Sequence, residues 1–396
     1  MKENNMFIME KGKRQPTRKD DFAEKNKSYC PMAFREIYVD NAGRYRLCCH
    51  AKQREDLKKY SDDETLPFDF FKSPEMEAIR NDMFLGKPIT GCETCYKMEE
   101  STGGHSYRTD KYLRKYGVVD DIDKINLKLR INGSACNLGC YMCFPYNSST
   151  RRNELKAVYG DAYKKIPGFE IDFKPVKFSQ YEKIKQNILD NIHLVGYMNM
   201  TGGEPLQLPK HWELVNAIPE KHAKHITIGY DTNLTKLRWK NHSVWDLADK
   251  FQEINLGVSC DHYGEKLKWI RYPIDVEEFE SNISEARELV TRLNCTVSIL
   301  NIEDLYEMSV YYRKKFNVDI TFHNIARGPG FLSIRNLPDK YKTEYMRRYS
   351  ELDYVIDELQ KDPISSNQLQ KAFKYCDDLS KHRNFDWRKL WPNFLT

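Results

Sequence analysis

Three cysteines fall within one short stretch, Cys136-Asn137-Leu138-Gly139-Cys140-Tyr141-Met142-Cys143. Thiolates this close together can wrap a single metal centre. A cubane [4Fe–4S] cluster takes one cysteine per iron as a rule, so three ligands leave one iron open. An open iron can chelate the amino and carboxylate groups of the methionine of S-adenosylmethionine (SAM). One electron from the cluster then breaks the adjacent sulfonium bond, and the resulting 5′-deoxyadenosyl radical abstracts hydrogen from unreactive carbon. Gly139 lets the backbone turn tightly beside such a cluster. The plainer readings are a zinc knuckle or buried thiols. Zinc favours four ligands in Cys-x-x-Cys pairs, and a three-cysteine loop directly after a strand suits it poorly.

The loop resembles the Cys-x3-Cys-x2-Cys signature of the radical SAM superfamily. One position departs from it: Met142 precedes the third cysteine where the family often has an aromatic, and Tyr141 stands one place earlier. Thr201-Gly202-Gly203-Glu204-Pro205, at the next strand end, looks like the family's GGE motif. The resemblance implies that SAM is held along Gly202, Gly203 and Glu204, where a glycine backbone allows close approach. Ser259, Asp261 and Asn301 resemble positions that bind SAM ribose or carboxylate in related proteins, and capping of loops is an equally open role for each. This likeness covers residues 122–335.

Five further cysteines form a second group: Cys30, the Cys48-Cys49 pair, and Cys92-Glu93-Thr94-Cys95. The segments CPMAFREIYVDNAGRYRLCC and GCETCYKMEESTGGHSYR resemble the twitch/SPASM auxiliary-cluster proteins of the superfamily. The resemblance implies a second Fe–S cluster on Cys30, Cys48, Cys92 and Cys95. Cys48 is preferred to Cys49 because its distance from Gly43 matches the hairpin of the family it resembles, and strand alternation sends the two to opposite faces. A fully ligated second cluster would be an electron relay, and one with an open iron a substrate anchor. Here the group precedes the barrel, whereas the usual SPASM order places it after. Structural zinc remains the alternative for four paired cysteines.

Other residues stand near expected strand ends. Cys260 is a candidate hydrogen donor to a substrate radical, against the commoner role of buried structural thiol. His262 and His323 are candidates by position, whereas His193 and His225 start their strands and face the wrong end. Arg271 suits either a carboxylate ligand or a structural ion pair.

These groups need elements to carry them. Strand-like stretches at 125–131, 193–200, 225–233, 254–261, 295–301 and 318–326 alternate with helix-length segments at 178–191, 209–219, 242–252, 275–293 and 303–315. That rhythm predicts parallel strands with right-handed crossovers. The fold class is α/β, a partial (β/α)6 TIM-like barrel whose chemistry sits at the C-terminal strand ends. Before it, residues 29–115 read as a small cysteine-rich α+β auxiliary-cluster domain. FREIYVD and NAGRYRLCC form two strands around a turn at Asn41–Gly43, and a helix follows with Ser73 as N-cap and Gly86 past its end. Residues 1–28 read as a flexible tail, and the radical SAM core domain as 122–335. Residues 336–396 read as a C-terminal helical extension in which Tyr341, Tyr345, Tyr349, Leu352, Ile356 and Leu359 share one helical face. The aromatics of FDWRKLWPNFLT pack on the core.

Composition narrows the class. With 63 basic residues against 58 acidic ones, the net charge is only +5, which argues against a nucleic-acid footprint. No apolar run is long enough for a membrane span, and the N-terminus lacks a secretory pattern, so a cytoplasmic location is expected. Eleven cysteines in a reducing compartment are thiols or metal ligands rather than disulfides. The expected activity is SAM cleavage on an unknown peptide, carbohydrate or small-molecule substrate, with flavodoxin or ferredoxin as reductant. An electron-transfer protein without catalysis is the first rival, and the GGE motif argues against it. A zinc-bound interaction module is the second, and the balanced charge argues against that.

Overall fold

Eight short strands join into one sheet in the computed structural model, which describes residues 22, 25–40, 44–52, 54, 57, 65–119, 122, 124–130, 133–170, 178–392 and 394. They are β1 (Glu36–Val39), β2 (Tyr45–Arg46), β3 (Ile125–Leu129), β4 (Val195–Met200), β5 (Thr227–Thr232), β8 (Glu253–Ser259), β9 (Val290–Val297) and β10 (Ile320–Ile325). β6 (Arg238–Trp239) and β7 (His242–Ser243) form a separate small hairpin. The sheet order is β10-β9-β8-β5-β4-β3-β1-β2. All neighbours are parallel except β1 and β2. From β1 to β10 each new parallel strand is added on the same side of the last. One-directional winding of this kind curls a twisted sheet into a barrel wall, and β2 and β10 stand at the two edges.

The sheet is mixed α/β with helices outside and a helical C-terminal part, as expected. It extends further than the six expected strands, because β1 pairs with β3 and makes a seventh parallel strand. The cysteine-rich segment is therefore joined to the barrel through its own hairpin. Apolar residues of β5 and β8 (Ile228, Tyr230, Leu256, Val258) pack outward against helices, all nearly or fully buried. The inner face is polar, and two glycines make room on it. A Cβ at Gly229 would collide with the Tyr197 phenol, and one at Gly257 with Asn294 and Arg292.

Two boundaries differ from expectation. The fifth barrel strand spans Val290–Val297, not 295–301, and the preceding helix stops at Glu285. Leu289 and Leu293 are four apart and mimic a helical face. Yet Leu293, Cys295 and Val297 bury at spacing two, which only a strand achieves. The long face from Tyr341 to Leu359 is two helices, Asp339–Arg348 and Asp353–Leu359. Asp353 opens the second with a carboxylate where the helix dipole favours one. The Ser149–Tyr159 helix was not anticipated, although Ser148 caps it by accepting from Arg151 N.

The Pro74–Phe84 helix has Ser73 as its N-cap, accepting from Met76 N, and Gly86 follows it at φ +73°. The turn at Asn41–Gly43 and most of the 1–28 segment lie outside the described residues. Asn26 and Ser28, at the end of that segment, are buried. Asn26 Nδ2 donates to Met83 O at 2.9 Å, and Ser28 Oγ to Gly86 O at 3.1 Å. Trp387 and Trp391 are buried in the core. Among the described residues no helix is long and apolar enough to cross a membrane.

Candidate functional site

The C-terminal ends of the parallel strands open into a cavity of about 950 Å³. Its lining includes Cys136, Cys140 and Cys143, Gly202, Gly203 and Glu204, and Ser259 and Asp261. Sequence elements far apart in the chain therefore meet in one place.

The cysteine loop is held from behind by the N-terminal turn of the Ser149–Tyr159 helix. Cys136 N donates to Ser149 Oγ at 3.2 Å, Thr150 Oγ1 to Cys136 O at 2.6 Å, and Ser148 Oγ to Leu138 O at 2.7 Å. Gly139 N and Tyr141 N donate to Tyr272 O and Ile270 O, at 2.6 and 2.9 Å. The Tyr141 ring points away from the cavity into the core, and its hydroxyl reaches Ser298 Oγ at 2.5 Å. Met142 takes the cavity side. The exchanged order of aromatic and methionine thus places the aromatic as an anchor of the loop.

Behind this loop lies a buried cluster of charge that the sequence did not announce. Arg383, from the Gln368–Arg383 helix, donates to Gly139 O at 2.8 Å, Trp269 O at 2.6 Å and Glu154 Oε1 at 2.6 Å. Arg151 pairs with the same Glu154 and donates to Tyr141 O at 3.1 Å, and Tyr375 OH donates to Tyr141 O at 2.8 Å. The C-terminal extension is in this way bonded to the backbone of the cysteine loop.

The Gly202–Glu204 loop lies against the cysteine loop. Glu204 N donates to Ala135 O at 2.8 Å. Gly203 has φ +60°, and a Cβ there would strike the same carbonyl, so both conformation and space require glycine. The Glu204 carboxylate turns inward, accepting from Thr232 Oγ1 at 2.6 Å, Asn233 N at 2.7 Å and Leu206 N at 3.3 Å. It locks the end of β4 to the end of β5. Burial outweighs these donors and raises the carboxyl to about 7. Asn233, missed earlier although it closes an expected strand, donates to Asn137 Oδ1 at 3.0 Å and lies 3.7 Å from Cys136 Sγ.

The remaining candidates divide. Ser259 lines the cavity. Asp261 does too, but its carboxylate is engaged by Arg271 Nη2 at 2.7 Å and Thr296 N at 2.7 Å. Arg271 thus makes an ion pair, and its other nitrogen lies 3.8 Å from Cys140 Sγ. Asn301 is outside the lining and fully buried, with its amide donating to Asp261 O and Thr296 O at 3.1 and 3.0 Å. Those two bonds cap the loops that follow β8 and β9. Cys260 is likewise outside the lining, its thiol donating to His262 O at 3.2 Å. His262 is buried against Asp304 at 2.8 Å, and His323 packs on Tyr354, so neither lines the cavity.

Burial pushes the Cys136 thiol up to about 12, with Cys140 adding to the shift. Burial raises Cys140 and Cys143 also, while Arg271 works against it at Cys140. Buried thiols next to guanidinium groups suit a centre that takes thiolates on assembly. Among the described residues no three Cys, His, Asp or Glu side chains converge as ligands of one metal ion. Zinc would draw its sulfurs to about 2.3 Å, whereas a four-iron cube gives each sulfur its own iron. The donor set, three thiols with a glycine-floored cavity beside them, fits the cube.

A second, smaller cavity is lined by Cys30, Cys48, Cys92 and Cys95. Cys48 lies past the end of β2, in a turn closed by Ala51 N on Cys48 O at 3.2 Å, so the turn rather than strand alternation directs it. Cys49 is not in the lining; its sulfur is 3.6 Å from Tyr112 OH. Cys92 caps the Glu93–Thr102 helix and Cys95 sits in its first turn, where the dipole favours thiolate. Burial raises Cys92 to about 12.

The model of the family described as the Radical SAM superfamily matches residues 133–308. No curated protein matches the chain. Among solved structures, native anSMEcpe with bound AdoMet is 18% identical, covering 61% of this chain and 63% of its own, with a TM-score of 0.39. Streptococcus suis SuiB bound to precursor peptide SuiA is 15% identical, covering 86% and 79%, with a TM-score of 0.36. The chain spans 63% of the length of anSMEcpe, less than two thirds. Residues 133–308 of this chain thus match a domain of the Radical SAM superfamily.

Proposed function

We propose that this chain cleaves SAM reductively, with Cys136, Cys140 and Cys143 holding a [4Fe–4S] cluster. The observation that carries the reading is the shared cavity: the three thiols, Gly202–Glu204 and Ser259 line one space of about 950 Å³. When bound, the cluster would supply an open iron for the SAM methionine and the electron that breaks the sulfonium bond. The residues of the chain do the positioning. Gly202 and Gly203 line the cavity, and in this reading their backbone carbonyls accept from the SAM ammonium group. Arg271, neutralised by Asp261, sets a guanidinium beside Cys140 without adding net charge. Arg130, Phe144, Pro167 and Ile325 extend the cavity and leave room for a substrate next to SAM. Cys30, Cys48, Cys92 and Cys95 hold a second Fe–S cluster in this reading, supported by their common cavity. The protein acts in the cytoplasm with flavodoxin or ferredoxin as reductant.

Anaerobic reconstitution with iron, sulfide, dithionite and SAM tests this. Release of 5′-deoxyadenosine that a Cys140→Ala variant loses supports it. A folded, iron-loaded protein that leaves SAM intact contradicts it.

A further inference from the structure

His50 follows the Cys48-Cys49 pair and is among the residues that line the four-thiol cavity. Its Nε2 is buried and has no hydrogen-bond partner among the described residues. A buried imidazole nitrogen left without a partner is destabilising, so it calls for an explanation. The ring is also held firmly: it stacks on Tyr107 with centroids 3.6 Å apart and planes at 6°. Arg108 and Tyr96, on the same wall, are already engaged. Arg108 donates to both oxygens of Glu99, at 2.9 and 2.6 Å, and to Tyr29 O at 3.0 Å. Tyr96 OH accepts from Ile89 N at 3.1 Å. A rigid ring with one unspent nitrogen at a wall of thiols is suited to a sulfur acceptor.

We propose that His50 belongs to the second metal site and donates Nε2–H to a sulfur of the cluster held by Cys30, Cys48, Cys92 and Cys95. The inference rests on the second-cluster reading above. With four thiols available, each iron of a cube already has its ligand, so the imidazole acts as a hydrogen-bond donor and not as a ligand. Donors to cluster sulfurs stabilise the reduced, more negative state and raise the potential. His50 is therefore a positioning residue that sets how readily this cluster accepts an electron.

The test uses the full chain carrying Cys136→Ala, Cys140→Ala and Cys143→Ala, so that only the second site is loaded. Iron and sulfide are counted, and the potential is followed by EPR. His50→Phe keeps the stack on Tyr107 and removes the donor. The expected result is an unchanged iron count with a lower potential. At the potential where half of the parent cluster is reduced, the reduced fraction falls about fivefold. His50→Asn, which retains an N–H donor, recovers part of the loss. An unchanged potential in His50→Phe overturns the proposal, and so does loss of iron from a folded variant, which would make His50 a ligand. Should His50→Phe fail to fold, ENDOR of the parent with 15N-histidine decides: a weak nitrogen coupling supports a donor, and a strong coupling or none overturns it. Zinc or no metal in the parent itself defeats the second-cluster reading, and is seen before any change at His50.

Discussion

Arg383 Nη2 donates to the Gly139 carbonyl at 2.8 Å, so the last turn of the Gln368–Arg383 helix is tied to the middle of the three-cysteine loop. The two residues are 244 apart in sequence. Both arginines around Glu154 are buried, and each also donates to a carbonyl of the loop region. A cluster loop must keep its sulfurs fixed while the metal changes charge, and bonds from a packed helix provide that rigidity.

Arg383→Ala removes three anchoring interactions but leaves Arg151 on Glu154. The expected loss of stability is about 3 kcal/mol, the lower end for breaking a buried ion pair, read from urea unfolding of the metal-free protein. Iron retained after desalting should fall with it. A variant as stable as the parent would show that the helix is not anchored there.

Arg271→Gln leaves the fully buried Asp261 carboxylate without its cation. The expected cost is roughly 3–5 kcal/mol. The double variant Arg271→Gln, Asp261→Asn should recover a large part of this loss, because no charge is then stranded. Additive costs in the double-mutant cycle would contradict the pairing.

Gly203→Ala is expected to weaken SAM binding by at least about tenfold while far-UV circular dichroism is unchanged. The added Cβ meets Ala135 O, and φ +60° strains any other residue. Calorimetric titration of SAM into reconstituted protein measures it. Equal affinity in the two proteins would place SAM away from this loop.

Glu204 gives a pH dependence. Burial raises its carboxyl to about 7 from the ordinary 4.5. The folded protein therefore holds this proton more tightly than the unfolded chain. The stability linked to it is complete below about 4.5 and is lost as pH rises through about 7. Urea unfolding of parent and Glu204→Gln from pH 4.5 to 8 should show the parent losing ground to the variant across that window. The variant has a constant offset, because its amide faces a donor. Parallel curves would mean that Glu204 is ionised throughout.

The cysteine loop, the GGE turn and the alternation of strands and helices were legible because each is local: spacing, a glycine pair, a hydrophobic period. The strand ends bring Ser259 and Asp261 into the lining of the cavity. Asn301 falls outside that lining because β9 spans Val290–Val297, five residues earlier at its start than the apolar pattern suggests, which leaves Asn301 beyond the strand end. The anchors behind the loop, Arg151, Glu154, Tyr375 and Arg383, had no readable signal. A buried arginine looks like a surface one in sequence, and only tertiary packing brings residue 383 to residue 139. The pairing of β1 with β3 was hidden for the same reason: nothing in four residues of strand says which neighbour it will find.

The most direct test of a cluster with a vacant iron is EPR of the reconstituted, reduced protein before and after SAM is added. The expected result is a SAM-responsive [4Fe–4S] component that is lost in the Cys136→Ala, Cys140→Ala, Cys143→Ala variant, where only the signal of the second site remains. A spectrum with no component that responds to SAM, or a SAM-responsive component that survives those three substitutions, would contradict it.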